Sequence, residues 1–224
     1  QRMKKKHLIL ALGLALAGSL TAQTSLDLPS EYLRNNTTGG VNDNLPANLV
    51  GSPYLTDDFK RGMVYMENET PYPAMMRYNA YQDEIQVQGP NGISTLFMRD
   101  NIWAELNGET IKIETYEKGS GTAKGYFFEL NKGATRLLKK HKKVFMESVP
   151  ASSSYSQEKP PRFDDDITYY LAQEGVPAKE IKLKKKDIAG ILNSKEAQAY
   201  IKENKMKLKS EDEVIQLIKY LNAL

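Results

Sequence analysis

The residues most able to do chemistry in this chain are few, and they sit in unpromising company. One of the two histidines, His7, stands just before an apolar run near the start. The other, His141, stands inside Lys139-Lys140-His141-Lys142-Lys143. A serine–histidine–acid relay would have to use His141, and such a base needs an acid to orient it. Four flanking lysines instead depress its pKa and leave no acid beside it in the sequence. There is no cysteine, which removes thiolate catalysis, disulfides and thiolate metal sites. With so few histidines, a zinc or copper centre has too few soft ligands. No metal and no cofactor is expected.

The acids carry the remaining possibilities. Asp164-Asp165-Asp166 offers oxygen ligands, but it lacks the spaced acids and glycine of a calcium loop. It reads better as a turn or strand-entry cap. Asp57 with Asp58, and Asp83 with Glu84, raise a glycosidase pair, yet neighbours in a strand point to opposite faces. Only the spacing in three dimensions decides that chemistry. Gly119-Ser120-Gly121 lacks the lysine–hydroxyl ending of a phosphate loop.

Two clusters point to binding. The first is Arg77-Tyr78-Asn79-Ala80-Tyr81. Tyrosine and arginine are enriched at binding hot spots, and Arg77, Tyr78, Asn79 and Tyr81 are candidate contacts for a glycan or protein. The alternative is a strand–turn–strand in which Tyr78 and Tyr81 cover the core edge and Asn79 shapes the turn. The second is the lysine run, where Lys139, Lys140, Lys142 and Lys143 are candidate contacts for an anionic polymer. Its alternative is an edge strand that lysines protect from pairing with other edges. Lys182, Lys184, Lys185 and Lys186 form a further basic cluster with the same two readings. Were both clusters on one face, they could hold a membrane surface.

The elements that must position these groups follow from periodicity. Met3 leads Lys4, Lys5 and Lys6 into an apolar run, Leu8 to Ala17, and Ala22 precedes Gln23. This is the layout of a secretory signal peptide over residues 1–22. At about ten residues the apolar run is half of what a bilayer span takes, so no integral span is expected after cleavage. The formal charge of +3 belongs to the whole chain. Residues 1–22 hold Arg2, Lys4, Lys5 and Lys6 and no acid, so the mature chain has 27 basic and 28 acidic groups. That balance argues against nucleic acid as a partner.

Residues 23–50, polar and rich in Asn and Gly, are expected to be a flexible arm. From 51 to 149 the pattern alternates, as in Glu84-Ile85-Gln86-Val87-Gln88 and Ile111-Lys112-Ile113-Glu114-Thr115-Tyr116. Asn107-Gly108 is the strongest hairpin signal, because both residues tolerate positive φ. An antiparallel β domain, open or a partial barrel, is expected here. Residues 150–163, rich in Ser and Pro, read as a linker or loop. Residues 164–224 read as a β-hairpin around Gly175 and then short helices. Ser194 and Ser210 are candidate caps, the latter in a capping box with Glu213. The fold class expected is α+β.

Gly51-Ser52-Pro53-Tyr54-Leu55, Arg77 through Ile85, Tyr169-Tyr170-Leu171, Lys184-Lys185-Lys186-Asp187 and Tyr200 through Lys205 resemble a family of uncharacterised exported proteins common in Bacteroidota. A signal peptide ending in Ala-Gln is similar to those of that phylum. The resemblance implies a periplasmic, outer-membrane-associated or secreted location and transfers no catalytic residue. The reading these observations favour is a non-enzymatic envelope protein that binds or scaffolds another envelope protein or a glycan. The rival is an envelope hydrolase for glycan or peptide, working with carboxylates alone.

Overall fold

The computed structural model describes residues 28–35, 45–151 and 157–224. The expected signal peptide lies outside them. A short 3-10 turn, Ser30–Tyr32, leads into β1 (Leu33–Asn35). Then follow β2 (Lys60–Met66), β3 (Tyr72–Asn79), β4 (Glu84–Gly89), β5 (Gly92–Leu96) and β6 (Ile102–Leu106). The barrel strands come next: β7 (Glu109–Lys118), β8 (Gly121–Glu129), β9 (Thr135–Met146), β10 (Arg162–Gln173) and β11 (Val176–Ile181). Helices α1 (Lys185–Leu192), α2 (Lys195–Glu203) and α3 (Glu211–Leu221) close the chain.

All eleven strands form one sheet, ordered β1-β5-β4-β3-β2-β6-β7-β11-β10-β9-β8, and β8 also pairs with β7. That last pairing closes β7 to β11 into a five-stranded barrel. The fold is α+β with a partial barrel, as the alternating pattern predicts. Closure depends on one parallel contact, Ala178 opposite Tyr116. The turns behave as their residues require. Asn107 and Gly108 both take positive φ, 55° and 81°, and join β6 to β7.

Because side chains alternate across a strand, β7 and β8 serve two cores at once. Ile111, Tyr126 and Phe128 face a first core with Val64, Met76, Tyr78 and Ile85. Tyr116 and Phe127 face the barrel interior with Leu138, Tyr170 and Ala178. Inside it, Tyr116, Phe127 and Tyr170 meet edge-to-face at 5.0–5.5 Å between ring centres. A third core packs α1–α3 against the outer face of β9–β11 through Leu137, Leu171 and Ile181.

Three expectations need correction. Residues 28–35 are not a free arm: Leu28, Tyr32 and Leu33 pack on the first core, and β1 pairs with β5. Three apolar side chains within six residues suffice to dock a strand that composition alone leaves loose. The segment 150–163 is not all linker. Val149 bridges Lys159, Val50 bridges Arg162, and β10 begins at Arg162 because Phe163 packs on Tyr81 and Phe145. Nor does that segment separate two units. β10 pairs with β9 over its whole length, so strands on either side of it share one barrel.

The helix caps form largely as expected. Ser194 Oγ accepts from Ala197 N, and Ser210 Oγ accepts from Glu213 N. Glu213 differs in its target: its carboxylate accepts from Lys207 N and Lys209 N. α3 is held to the barrel by Glu211, which meets Lys139 at 2.7 Å and accepts from Tyr169 Oη at 2.7 Å. Burial raises the Glu211 pKa, but those two partners outweigh it and hold the carboxyl below its ordinary value. A carboxyl lowered on folding stabilises fully above its unfolded pKa and loses that stabilisation as pH falls through the folded one. Stability should therefore decline below about pH 4.5, and Glu211→Gln should flatten part of that decline. Urea unfolding at pH 7 and pH 4 checks both.

Candidate functional site

Lys140 is the least expected residue of the interior. Its alternation with Leu138 turns it into the barrel, where it is 3% exposed. Its ammonium lies 4.6 Å from the Phe127 ring centre and 5.5 Å from that of Tyr116. A buried ammonium must be paired, and Asp83 supplies the pair at 2.8 Å. Lys140 also donates to Tyr126 O at 3.0 Å. Burial pushes the Lys140 pKa down, and Asp83 opposes it.

Asp83 sits on the β3–β4 turn with φ +58°, an uncommon conformation for a residue other than glycine. The turn starts at Asn79, whose Oδ1 accepts from Tyr81 N and Gln82 N. Asp83 Oδ1 accepts from Tyr78 Oη at 2.6 Å and from Tyr126 N at 3.3 Å. The position opposite is Gly125 of β8. A Cβ there would stand 2.6 Å from Asp83 Oδ2 and 2.7 Å from Lys140 Nζ, so only glycine leaves room for the ion pair. The pair thus ties the meander β1–β6 to the barrel.

Beside this strut is a cavity of about 310 Å³, walled by Leu96, Phe97 and Met98 and by Arg34, Glu84 and Tyr126. Arg34 and Glu84 form an ion pair across it. Tyr126 is 1% exposed, and its hydroxyl has no hydrogen-bond partner. Burial, then Asp83 and Glu84, push the Tyr126 pKa up, so the hydroxyl keeps its proton.

A longer hollow runs along β7 toward the β10–β11 turn. Two adjoining spaces of about 480 and 530 Å³ share Asp100, Ile113, Glu114 and Arg136. Trp103 and Lys112 line one end, Gln173 through Pro177 the other. The outer face of β2–β6 leads into it through Tyr65 stacked on Trp103, 5.4 Å between centres and 2° from parallel. Alternation places Lys112, Glu114, Glu129 and Arg136 on the inward face of the barrel here. Arg136 pairs with Glu114, and Lys112 lies 3.2 Å from Glu129.

The residues singled out in the sequence are mostly structural. Tyr78 and Asn79 are wholly enclosed, so neither meets a ligand directly. Arg77 lies 3.5 Å over the Tyr54 ring and donates to Gln86 and to Asp57 O. Tyr81 is 46% exposed and rests on Phe163. The lysine run is not a patch. Lys139 is taken by Glu211, Lys140 by Asp83 and Lys143 by Asp165, and only Lys142 stays exposed. Register explains this: β10 runs antiparallel to β9 and sets Asp165 opposite Lys143 and Asp166 opposite Lys142. The acidic and basic runs answer each other across one ladder. Among the described residues no group of histidines and acids is placed to hold a metal.

His141 is half-buried, edge-on to Phe128 at 4.7 Å. Burial, then Lys139, lower its pKa. Asp165 and Glu211 oppose that lowering, and both are engaged by lysines. Sequence reasoning missed Trp103, Lys112, Glu114, Glu129 and Arg136 as neighbours. The signal available was polar residues at alternate positions of strands whose other face is apolar.

The sequence matches no protein-family model, and comparisons with curated proteins and with solved structures return no match.

Two tyrosines should respond in opposite ways to loss of the hydroxyl. Tyr78→Phe removes a hydrogen bond to a charged group and should cost about 1–3 kcal/mol. Tyr126→Phe removes an unsatisfied buried hydroxyl and should be neutral or stabilising. Gly125→Ala should cost at least as much as Tyr78→Phe, about 3 kcal/mol, by forcing the buried pair apart. Urea unfolding of the three variants beside the parent tests the set.

Proposed function

We propose that this chain is an exported, non-enzymatic binding protein of the cell envelope, and that the hollow at the barrel mouth is its binding face. The carrying observation is the state of the side chains that chemistry would need. Asp83 accepts from Tyr78 Oη, Tyr126 N and Lys140 Nζ. Glu114 is held by Arg136 and Glu129 lies against Lys112. A carboxylate engaged by such partners is not poised to take a substrate proton. The mouth, by contrast, combines an aromatic pair, charged groups and an apolar wall, which suits recognition. Export rests on the signal-peptide pattern of residues 1–22, and the resemblance to exported Bacteroidota proteins points the same way.

Trp103 is the only tryptophan in the chain, so its emission reports on this hollow. Solubilised envelope fractions should shift or quench that emission saturably, while hydrolysis of peptidoglycan and polysaccharide stays at background. Turnover that Glu114→Gln abolishes would instead establish the carboxylate hydrolase.

A further inference from the structure

If the barrel mouth is the binding face, the chemistry of its lining narrows the ligand. We infer that the mouth takes a cationic segment of a protein partner, a lysine- or arginine-bearing stretch of chain. Four carboxylates line it, Glu67, Asp100, Glu114 and Glu174; Lys124 takes Asp100 and Arg136 takes Glu114, so the surplus acids at the rim are Glu67 and Glu174. Glu67, Asp100 and Glu174 are exposed at the rim. An anionic polymer would meet this rim as like charge.

A second observation is independent of the acid count. Glu129 is only 5% exposed at its side chain, and its Oε2 accepts no hydrogen bond. The Lys112 ammonium is 3.2 Å away but is not aligned to donate. Lys112 also lies over the Trp103 ring, 5.6 Å from its centre, within reach of a cation–aromatic contact. Its side chain is 37% exposed. The protein's own amine therefore occupies, imperfectly, a place bounded by an aromatic ring and a buried carboxylate. That place is built for an ammonium or guanidinium that can donate where Lys112 does not. Beside it, Ile113, Val176 and Pro177 offer apolar wall for the stem of such a side chain.

The test titrates the intact protein with three probes, hexalysine, hexaglutamate and a neutral hexasaccharide, following Trp103 emission. Hexalysine alone should give a saturable change. Its affinity should weaken about tenfold in the double variant Glu67→Gln/Glu174→Gln, roughly threefold per rim charge, and again with added salt. Lys112→Gln should bind hexalysine more tightly, since it removes the competing cation. Both variants are first checked by thermal unfolding, and the rim variant, altering exposed residues only, carries the test if Lys112→Gln does not fold. A response to the hexasaccharide and not to hexalysine overturns the inference while leaving the mouth as the binding face. Hexalysine binding seen by calorimetry without any change at Trp103, or unchanged by the rim variant, also overturns it by placing the contact elsewhere. Silence from all three probes overturns the inference and removes support from the binding face itself.

Discussion

A buried ammonium governs how this molecule is assembled. Lys140 is carried into the barrel by strand alternation, beside the rings of Phe127 and Tyr116, where an unpaired charge would be strongly unfavourable. Its partner comes from neither neighbouring strand. Asp83 arrives from the β3–β4 turn, with its backbone in the left-handed region and its carboxylate filled by three donors. Removing one partner of such a pair typically costs about 3–5 kcal/mol. The meander and the barrel are thus obliged to meet at one point, and Gly125 is the concession that lets them.

The rest of the architecture elaborates that junction. β7 and β8 act as a party wall, with one face in each core. The tail helices cover the far side of β9–β11, so β9 lies between barrel interior and helices. This is why a run of four lysines can occupy a strand without forming a surface patch. Alternation sends Lys140 inward and Lys139 toward α3. The antiparallel register of β10 supplies acids to the others.

These pairings also shape what the protein can do. The charged groups nearest the strut are committed to holding it, and they leave no idle base there. Along β7 toward the β10–β11 turn the balance is less complete, with surplus carboxylates at the rim and one buried carboxylate oxygen without a donor. A site that recognises by charge and aromatic contact is the natural product of that imbalance.

Much of the fold was legible along the chain. Period-two runs marked β4 and β7, because one apolar face per strand writes itself into local sequence. Asn107-Gly108 marked its hairpin through φ preferences, and Ser194 and Ser210 marked their helices through the orphan N–H groups they cap. The lysine-rich strand β9 stood in the sequence only as one of two readings, an edge strand or a binding patch, since its inward residues include a charge that local reading assigns to solvent. The candidate contacts Tyr78 and Asn79 were likewise misplaced, because whether a tyrosine faces a core or a ligand depends on what packs over it. What the sequence determined by itself was the set of elements and the absence of thiol chemistry, both properties of residues taken singly or with near neighbours. Tertiary structure alone decided that Asp83 pairs with Lys140, that the acidic run answers the basic one, and that Trp103 shares a mouth with Glu114 and Arg136. Those are contacts between residues roughly 10 to 60 positions apart, and only strand register and barrel closure bring such partners together.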